Sequence, residues 1–165
     1  LNTDFVIKDI RGNVDTRINK LRDGKFDAII LASSGLKRLG IKKSYFPLDT
    51  NILVPAVGQG VIALVGNSIN KEINKVIKIV NHEQTQIEVN SEREFLRALD
   101  GSCKTPIGAY AELKRLKGKD LISLLYFVSS IDGKKIIKTK KNINLRNYLS
   151  ESYNLGKDVK RQLKL

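Results

Sequence analysis

The sequence predicts an α/β segment followed by an α+β domain built on a three-stranded antiparallel sheet with helices. Three observations carry this. Ala28-Ile29-Ile30-Leu31 is apolar without interruption and follows a helix-spaced segment, the pattern of a parallel strand buried on both faces. Two later stretches, Ile69 to Val80 and Ile87 to Leu99, keep helical spacing. Three β-type runs then follow, divided by the turn-forming pairs Lys117-Gly118 and Asp132-Gly133.

Taken in order, Phe5-Val6-Ile7 reads as a short buried strand closed by Arg11-Gly12-Asn13. Val14, Ile18 and Leu21 fall on one face of a helix that Asp23-Gly24 ends. The next strand spans residues 26–32, and Ser33-Ser34-Gly35 leads from it into a short helix carrying Leu36, Lys37, Arg38 and Leu39. Pro47 and Pro55 bracket a connection. Val57-Gly58-Gln59-Gly60 then precedes an apolar strand over residues 61–65, as in a segment crossing between domains. Ile69, Ile73, Val76, Ile77 and Val80 mark one helix, and Ile87, Ser91, Phe95 and Leu99 the next, with Ser91 its polar exception. Asp100-Gly101-Ser102-Cys103-Lys104-Thr105-Pro106 is a loop by composition. Strands are expected over residues 107–113, 121–129 and 134–139, and helical spacing returns with Leu145, Leu149, Val159 and Leu163. The chain thus divides into residues 1–54, 55–80 and 81–165, with no internal repeat.

At 165 residues, 41% hydrophobic and 28% charged, the chain is long enough to bury a core and reads as globular. Its one Cys forbids an internal disulfide, and one His beside it excludes a four-ligand Cys/His zinc site, so no metal is expected. No apolar run approaches the ~18 residues of a membrane span, and no secretory signal opens the chain. The first residue is Leu1 and no Met occurs, so the chain is expected to begin inside a longer protein.

Thirty Lys and Arg against 17 Asp and Glu leave a net charge of +13, which suits an anionic partner. The basic runs Lys114-Arg115-Leu116-Lys117-Gly118-Lys119 and Lys134 to Lys141 sit at turns and strand ends. Without interleaved aromatics they read as a solvated face. No zinc finger or RNA-recognition motif is present, and nucleic acid is not expected as a partner.

Candidate chemistry rests on few residues. Cys103, the only thiol, lies in a polar loop beside Lys104, a cation suited to stabilising a thiolate. The bland alternative is a small buried hydrophobe. Arg11-Gly12-Asn13 opens a helix whose N–H groups favour anions, Arg11 adds a bidentate donor, and Arg17 and Arg38 follow on adjacent elements. Spacing alone leaves open whether these three arginines converge or are surface charges. His82 has no metal-spaced partners and reads as helix-end packing or capping. Gly58 and Gly60 alone indicate a tight turn.

Several blocks together resemble one family. They are Arg11-Gly12-Asn13-Val14-Asp15-Thr16-Arg17, Asp27-Ala28-Ile29-Ile30-Leu31-Ala32, Gly35-Leu36-Lys37-Arg38-Leu39-Gly40, Pro55-Ala56-Val57-Gly58-Gln59-Gly60, Asn81-His82, Glu92-Arg93, and residues 99–110 around Cys103. In order and spacing, over residues 9–113, they resemble porphobilinogen deaminase, also called hydroxymethylbilane synthase. Ser102 and Lys104 depart from the family's usual Gly and Gln.

The resemblance implies a three-domain enzyme: two α/β domains resembling periplasmic binding proteins and a third with a three-stranded antiparallel sheet. Residues 1–54 would be part of domain two, 55–80 a return segment belonging to domain one, and 81–165 the C-terminal cofactor-attachment domain. Most of domain one would be missing, and with it the family's catalytic Asp, so no catalytic residue is assigned here and the segment alone is expected to be inactive. The implied reaction joins four porphobilinogen molecules head to tail, with loss of ammonia, to give hydroxymethylbilane in heme and chlorophyll biosynthesis. It runs on a dipyrromethane cofactor held by a thioether to Cys103. Arg11, Asn13 and Arg17 would bind the cofactor, and Arg11, Arg17, Arg38 and Gln59 the substrate and growing polypyrrole. The implied partners are these pyrroles and the missing N-terminal portion, with no membrane and a monomeric enzyme. The implied compartment is the cytoplasm, with the plastid as alternative. Against this stand a non-catalytic small-anion-binding module and a basic nucleic-acid binder, the latter recognisable by steep salt dependence.

Overall fold

The computed structural model describes residues 4–41, 45–100, 106–116 and 119–164. The chain forms two units, Leu1–Pro47 and Leu48–Leu165. The loop expected around Cys103 and the Lys117-Gly118 turn lie outside the described residues.

In the first unit, α1 (Val14–Arg22) forms where helical spacing predicted it, and α2 (Ser33–Arg38) takes in Ser33-Ser34-Gly35, which the sequence placed before the helix. Both end in the same way. Gly24 (φ +70°) and Gly40 (φ +67°) take the left-handed conformation just beyond each helix. Paired return bonds follow, Gly24 N–H to Leu21 C=O and Lys25 N–H to Lys20 C=O for α1, Gly40 N–H to Lys37 C=O and Ile41 N–H to Leu36 C=O for α2. This is the Schellman arrangement, which satisfies carbonyls the helix leaves open.

The strands expected at residues 5–7 and 26–32 do not form, so the parallel sheet is absent among the described residues. The physical reason is pairing. A strand exists by hydrogen bonding to a neighbour, and the described part of this unit holds only helices and loops. Phe5, Val6, Ile7 and Ile30 are accordingly exposed. The expected strand at residues 61–65 in the second unit is likewise unpaired, with Ile62, Leu64 and Val65 open to solvent.

The second unit carries the predicted α+β architecture. Its helices are α3 (Lys71–Val80), α4 (Glu83–Ala98) and α5 (Tyr148–Leu163), the last preceded by a 3-10 turn, Leu145–Asn147. Asn70 caps α3 by accepting from Ile73 N–H at 3.1 Å. His82 caps α4, its Nδ1 accepting from Thr85 N–H at 3.3 Å, which is the capping role its sequence position suggested.

Strands β1 (Ile107–Leu116), β2 (Lys119–Ser129) and β3 (Ile136–Asn144) form an antiparallel sheet in the order β1-β2-β3. β3 starts later than expected because Lys134 and Lys135 belong to the turn. Gly133 N–H donates to Ser130 C=O and Ser130 N–H to Lys135 C=O, both at 2.9 Å. It also runs further, through Lys140 and Lys141, since an edge strand accommodates lysines directed at water.

One sheet face presents Ala109, Ala111, Leu113, Ile122, Leu124, Tyr126, Val128 and Ile143 to the helices. There they meet Phe95 and Leu99 of α4 and its end, and Val159 and Leu163 of α5. On the opposite face Ser123 and Leu125 are also buried. Lys138 Nζ donates to the carbonyls of Asn51 and Ile52 there, tying residues 51–52 to β3.

The free edge of β1 is occupied. Ala109 N–H donates to Pro55 C=O at 3.0 Å. Ala111 N–H donates to Glu92 Oε1 and Leu113 N–H to Glu88 Oε1, each at 2.9 Å. The match is geometric: the four helical residues from Glu88 to Glu92 advance about 6 Å, and two strand residues advance about 6.6 Å.

Candidate functional site

The cationic cluster of the first unit is built by one glycine and two long side chains. Gly12 has φ +119°, and a Cβ there would lie 2.8 Å from Thr16 Cγ2, so only glycine fits. The bend turns two carbonyls back toward α1. Arg17 Nε donates to Gly12 C=O at 2.7 Å, and Lys20 Nζ donates to Arg11 C=O at 2.9 Å. Arg17 and Lys20 are three residues apart on one helical face.

With Nε anchored, the Arg17 guanidinium is held in place while its planar fork stays available for a carboxylate. Asn13 is the N-cap of α1, yet among the described residues its side chain makes no capping bond, which leaves its amide for a ligand. Arg11 is exposed. The set therefore offers cations and N–H donors about a helix N-terminus, with Asp15 in the first turn as the opposing charge. Its chemistry suits a ligand carrying several carboxylates.

Arg11 and Asn13 lie immediately before α1 and Arg17 in its first turns, with the Arg17 side chain folded back onto the Gly12 carbonyl between them. Arg38 closes α2 and is exposed; α2 lies against α1 through Gly35, where a Cβ would sit 3.4 Å from Val14 Cγ2. Gln59 belongs to the second unit, and Cys103 lies outside the described residues. Sequence reasoning overlooked Lys20, although its place one turn beyond Arg17 was the available signal.

Gln59 is exposed and follows a tightly held turn. Gln59 N–H donates to Ala56 C=O at 3.2 Å, closing residues 56–59. Gly58 has φ +72° while Val57 does not take positive φ, the type II pattern that requires glycine at the third position. Gly58 N–H donates to Glu92 Oε2 at 2.8 Å. Burial raises the Glu92 pKa above its ordinary value, against the bonds from Ala111 and Gly58 that lower it, and the Glu88 charge adds to the rise.

Among the described residues no cluster of three His, Cys, Asp or Glu could hold a metal ion, and no helix is long and apolar enough to cross a membrane.

Residues 1–75 match the family model described as porphobilinogen deaminase, dipyromethane cofactor binding domain, and residues 86–164 match porphobilinogen deaminase, C-terminal domain. Porphobilinogen deaminase of a Nitratiruptor species is 43% identical over 162 residues, covering 96% of this chain and 49% of the relative. That of a Prochlorococcus marinus strain is 43% identical over 159 residues, covering 96% and 48%. A probable porphobilinogen deaminase of Methanocella arvoryzae is 45% identical over 139 residues, covering 84% and 44%. The chain spans about half the length of these curated relatives. Two models of one enzyme family matched in sequence order, with relatives at this identity along nearly the whole chain, place the protein in the porphobilinogen deaminase family.

Proposed function

We propose that this chain is the C-terminal portion of a transferase that joins four porphobilinogen molecules head to tail, with loss of ammonia, to give hydroxymethylbilane. Cys103 carries a dipyrromethane cofactor as a thioether. When bound, that group supplies the primer to which pyrrole rings are added. Arg11, Asn13 and Arg17 hold its acetate and propionate groups. Arg11, Arg17, Arg38 and Gln59 orient the carboxylates of substrate and growing chain. Covalent tethering makes each addition effectively intramolecular.

Residues 1–54 then belong to a domain resembling periplasmic binding proteins, 55–80 return to the first domain, and 81–165 form the attachment domain. The missing N-terminal portion supplies the acid–base chemistry and the strands that residues 5–7, 26–32 and 61–65 pair with. The complete enzyme is a cytoplasmic monomer, the plastid being the alternative compartment.

The observation that carries this reading is the Arg17 Nε bond to Gly12 C=O, which presents a fixed guanidinium fork beside the uncommitted Asn13 amide. The test is the intact mass of the protein purified together with the N-terminal half of a family relative and exposed to porphobilinogen. The expected result is one dipyrromethane added to the wild type and none to Cys103→Ser. An unmodified wild type that still binds porphobilinogen would instead identify a non-catalytic anion-binding module. Porphobilinogen consumption by the 165 residues alone would overturn the division of labour.

A further inference from the structure

We infer that Glu92 is a positioning residue for Gln59, setting the turn from which that side chain projects; this rests on the proposed role of Gln59 in binding substrate. The two oxygens of one buried carboxyl group serve two distant pieces of backbone. Oε1 takes Ala111 N–H of β1 at 2.9 Å and Oε2 takes Gly58 N–H at 2.8 Å. Glu92 therefore joins α4, the sheet edge and the glycine turn at a single point.

The rest of the segment is fixed on either side. Pro55 C=O accepts from Ala109 N–H at 3.0 Å. Gly108 brings β1 so close that a Cβ on it would lie 2.8 Å from Val54 C=O. Val57 packs against the hydrophobic core. Gly58 is the last residue bonded to the rest of the unit, and the next residue, Gln59, closes the turn through its N–H while its side chain is exposed. Burying a carboxyl group is costly unless its bonds are satisfied. A purely structural edge cap would need only the bond to Ala111, as Glu88 has with Leu113. The second bond, to Gly58, is what directs Glu92 to the turn.

Glu92→Gln presents one oxygen and one NH2 group to two N–H donors, so one bond is lost. Glu88→Gln keeps the one oxygen that Leu113 N–H uses and leaves the turn untouched, so it controls for loss of charge alone. Glu92→Asp keeps the carboxylate one methylene short and is read in the same way should Glu92→Gln lose its cooperative fold.

The test is amide hydrogen exchange of the chain and these variants, followed by the porphobilinogen KM and kcat of each variant joined to the N-terminal half of a family relative. Glu92→Gln is expected to speed exchange at Gly58 and Gln59 roughly tenfold more than at the core amides of Leu124 and Val128. It should raise KM several-fold while kcat changes less than twofold. Glu88→Gln should leave exchange at Gly58 and Gln59, and KM, as in the wild type. Uniform acceleration across the core, or unchanged exchange at Gly58 and Gln59, would overturn the inference by leaving Glu92 an edge cap only. If the joined wild type consumed no porphobilinogen, the proposed function would fail, while the exchange pattern would still decide whether Glu92 holds the turn.

Discussion

The hydroxyls of Ser91 and Ser152 meet at 2.8 Å, both fully buried between α4 and α5. Each satisfies the other, which lets the two helices approach closely. One turn further along α5, a Cβ on Gly156 would lie 2.5 Å from Phe95 C=O and 2.6 Å from Ala98 Cβ. Gly156→Ala is expected to destabilise by about 1–3 kcal/mol through overpacking. Ser91→Ala strands the Ser152 hydroxyl at a cost of about 1–3 kcal/mol, and the double Ser91→Ala/Ser152→Ala variant costs less than the two singles together. Urea unfolding followed by circular dichroism measures all four; strict additivity would contradict the pair.

Arg17→Lys keeps the charge but removes both the Nε donor and the planar fork. Porphobilinogen binding, measured by calorimetry on the assembled enzyme, should weaken about tenfold, or ~1.4 kcal/mol. Gly12→Ala should act similarly, because the bend that aims the Gly12 carbonyl at Arg17 has no space for a methyl group beside Thr16. Wild-type affinity in Arg17→Lys would argue against the clamp.

Glu92 gives stability a pH dependence of unusual sign. Its folded pKa is raised, chiefly by burial, so the folded state holds the proton more tightly than the unfolded state. Its contribution is therefore complete below the unfolded value, near pH 4, and is lost as pH rises through the raised folded value. Over that window the unfolding free energy of the wild type should decline with pH more steeply than that of Glu92→Gln. Parallel profiles in urea titrations would contradict the shift.

Ser123 is buried on the second face of the sheet, and its Oγ has no hydrogen-bond partner among the described residues. Removing an unsatisfied hydroxyl should help. Ser123→Ala is expected to gain about 1 kcal/mol, read as a rise in Tm; a fall would show that the hydroxyl has a partner in solution.

The C-terminal half of this fold was legible because its signals are local and its partners lie within the chain. Alternating residues in β1, the apolar run of β2, the Asp132-Gly133 turn and the spacing of Phe95 and Leu99 each point to the same sheet-and-helix layer. The apolar run Ala28 to Leu31 gave the opposite outcome. Its composition suits a strand, yet pairing is a property of two segments, and no second strand stands among the described residues of that unit. At the candidate site, the position of Arg11 and Asn13 at a helix start was legible, while spacing left open whether the arginines converge, and only the family resemblance tied Arg11, Asn13 and Arg17 to one ligand. Glu92 carries no such local signal, because its partners Gly58 and Ala111 are distant in sequence and no spacing rule links a helix carboxylate to them.

Both margins of the three-stranded sheet are closed to growth. Along β1 the donors that would template another strand are spent on Pro55, Glu92 and Glu88. Along β3, Lys138, Lys140 and Lys141 confront any incoming copy of the same margin with like charge. Concentrating the protein is therefore expected not to zip sheet to sheet, because neither margin offers the bare row of donors and acceptors that an incoming strand pairs with.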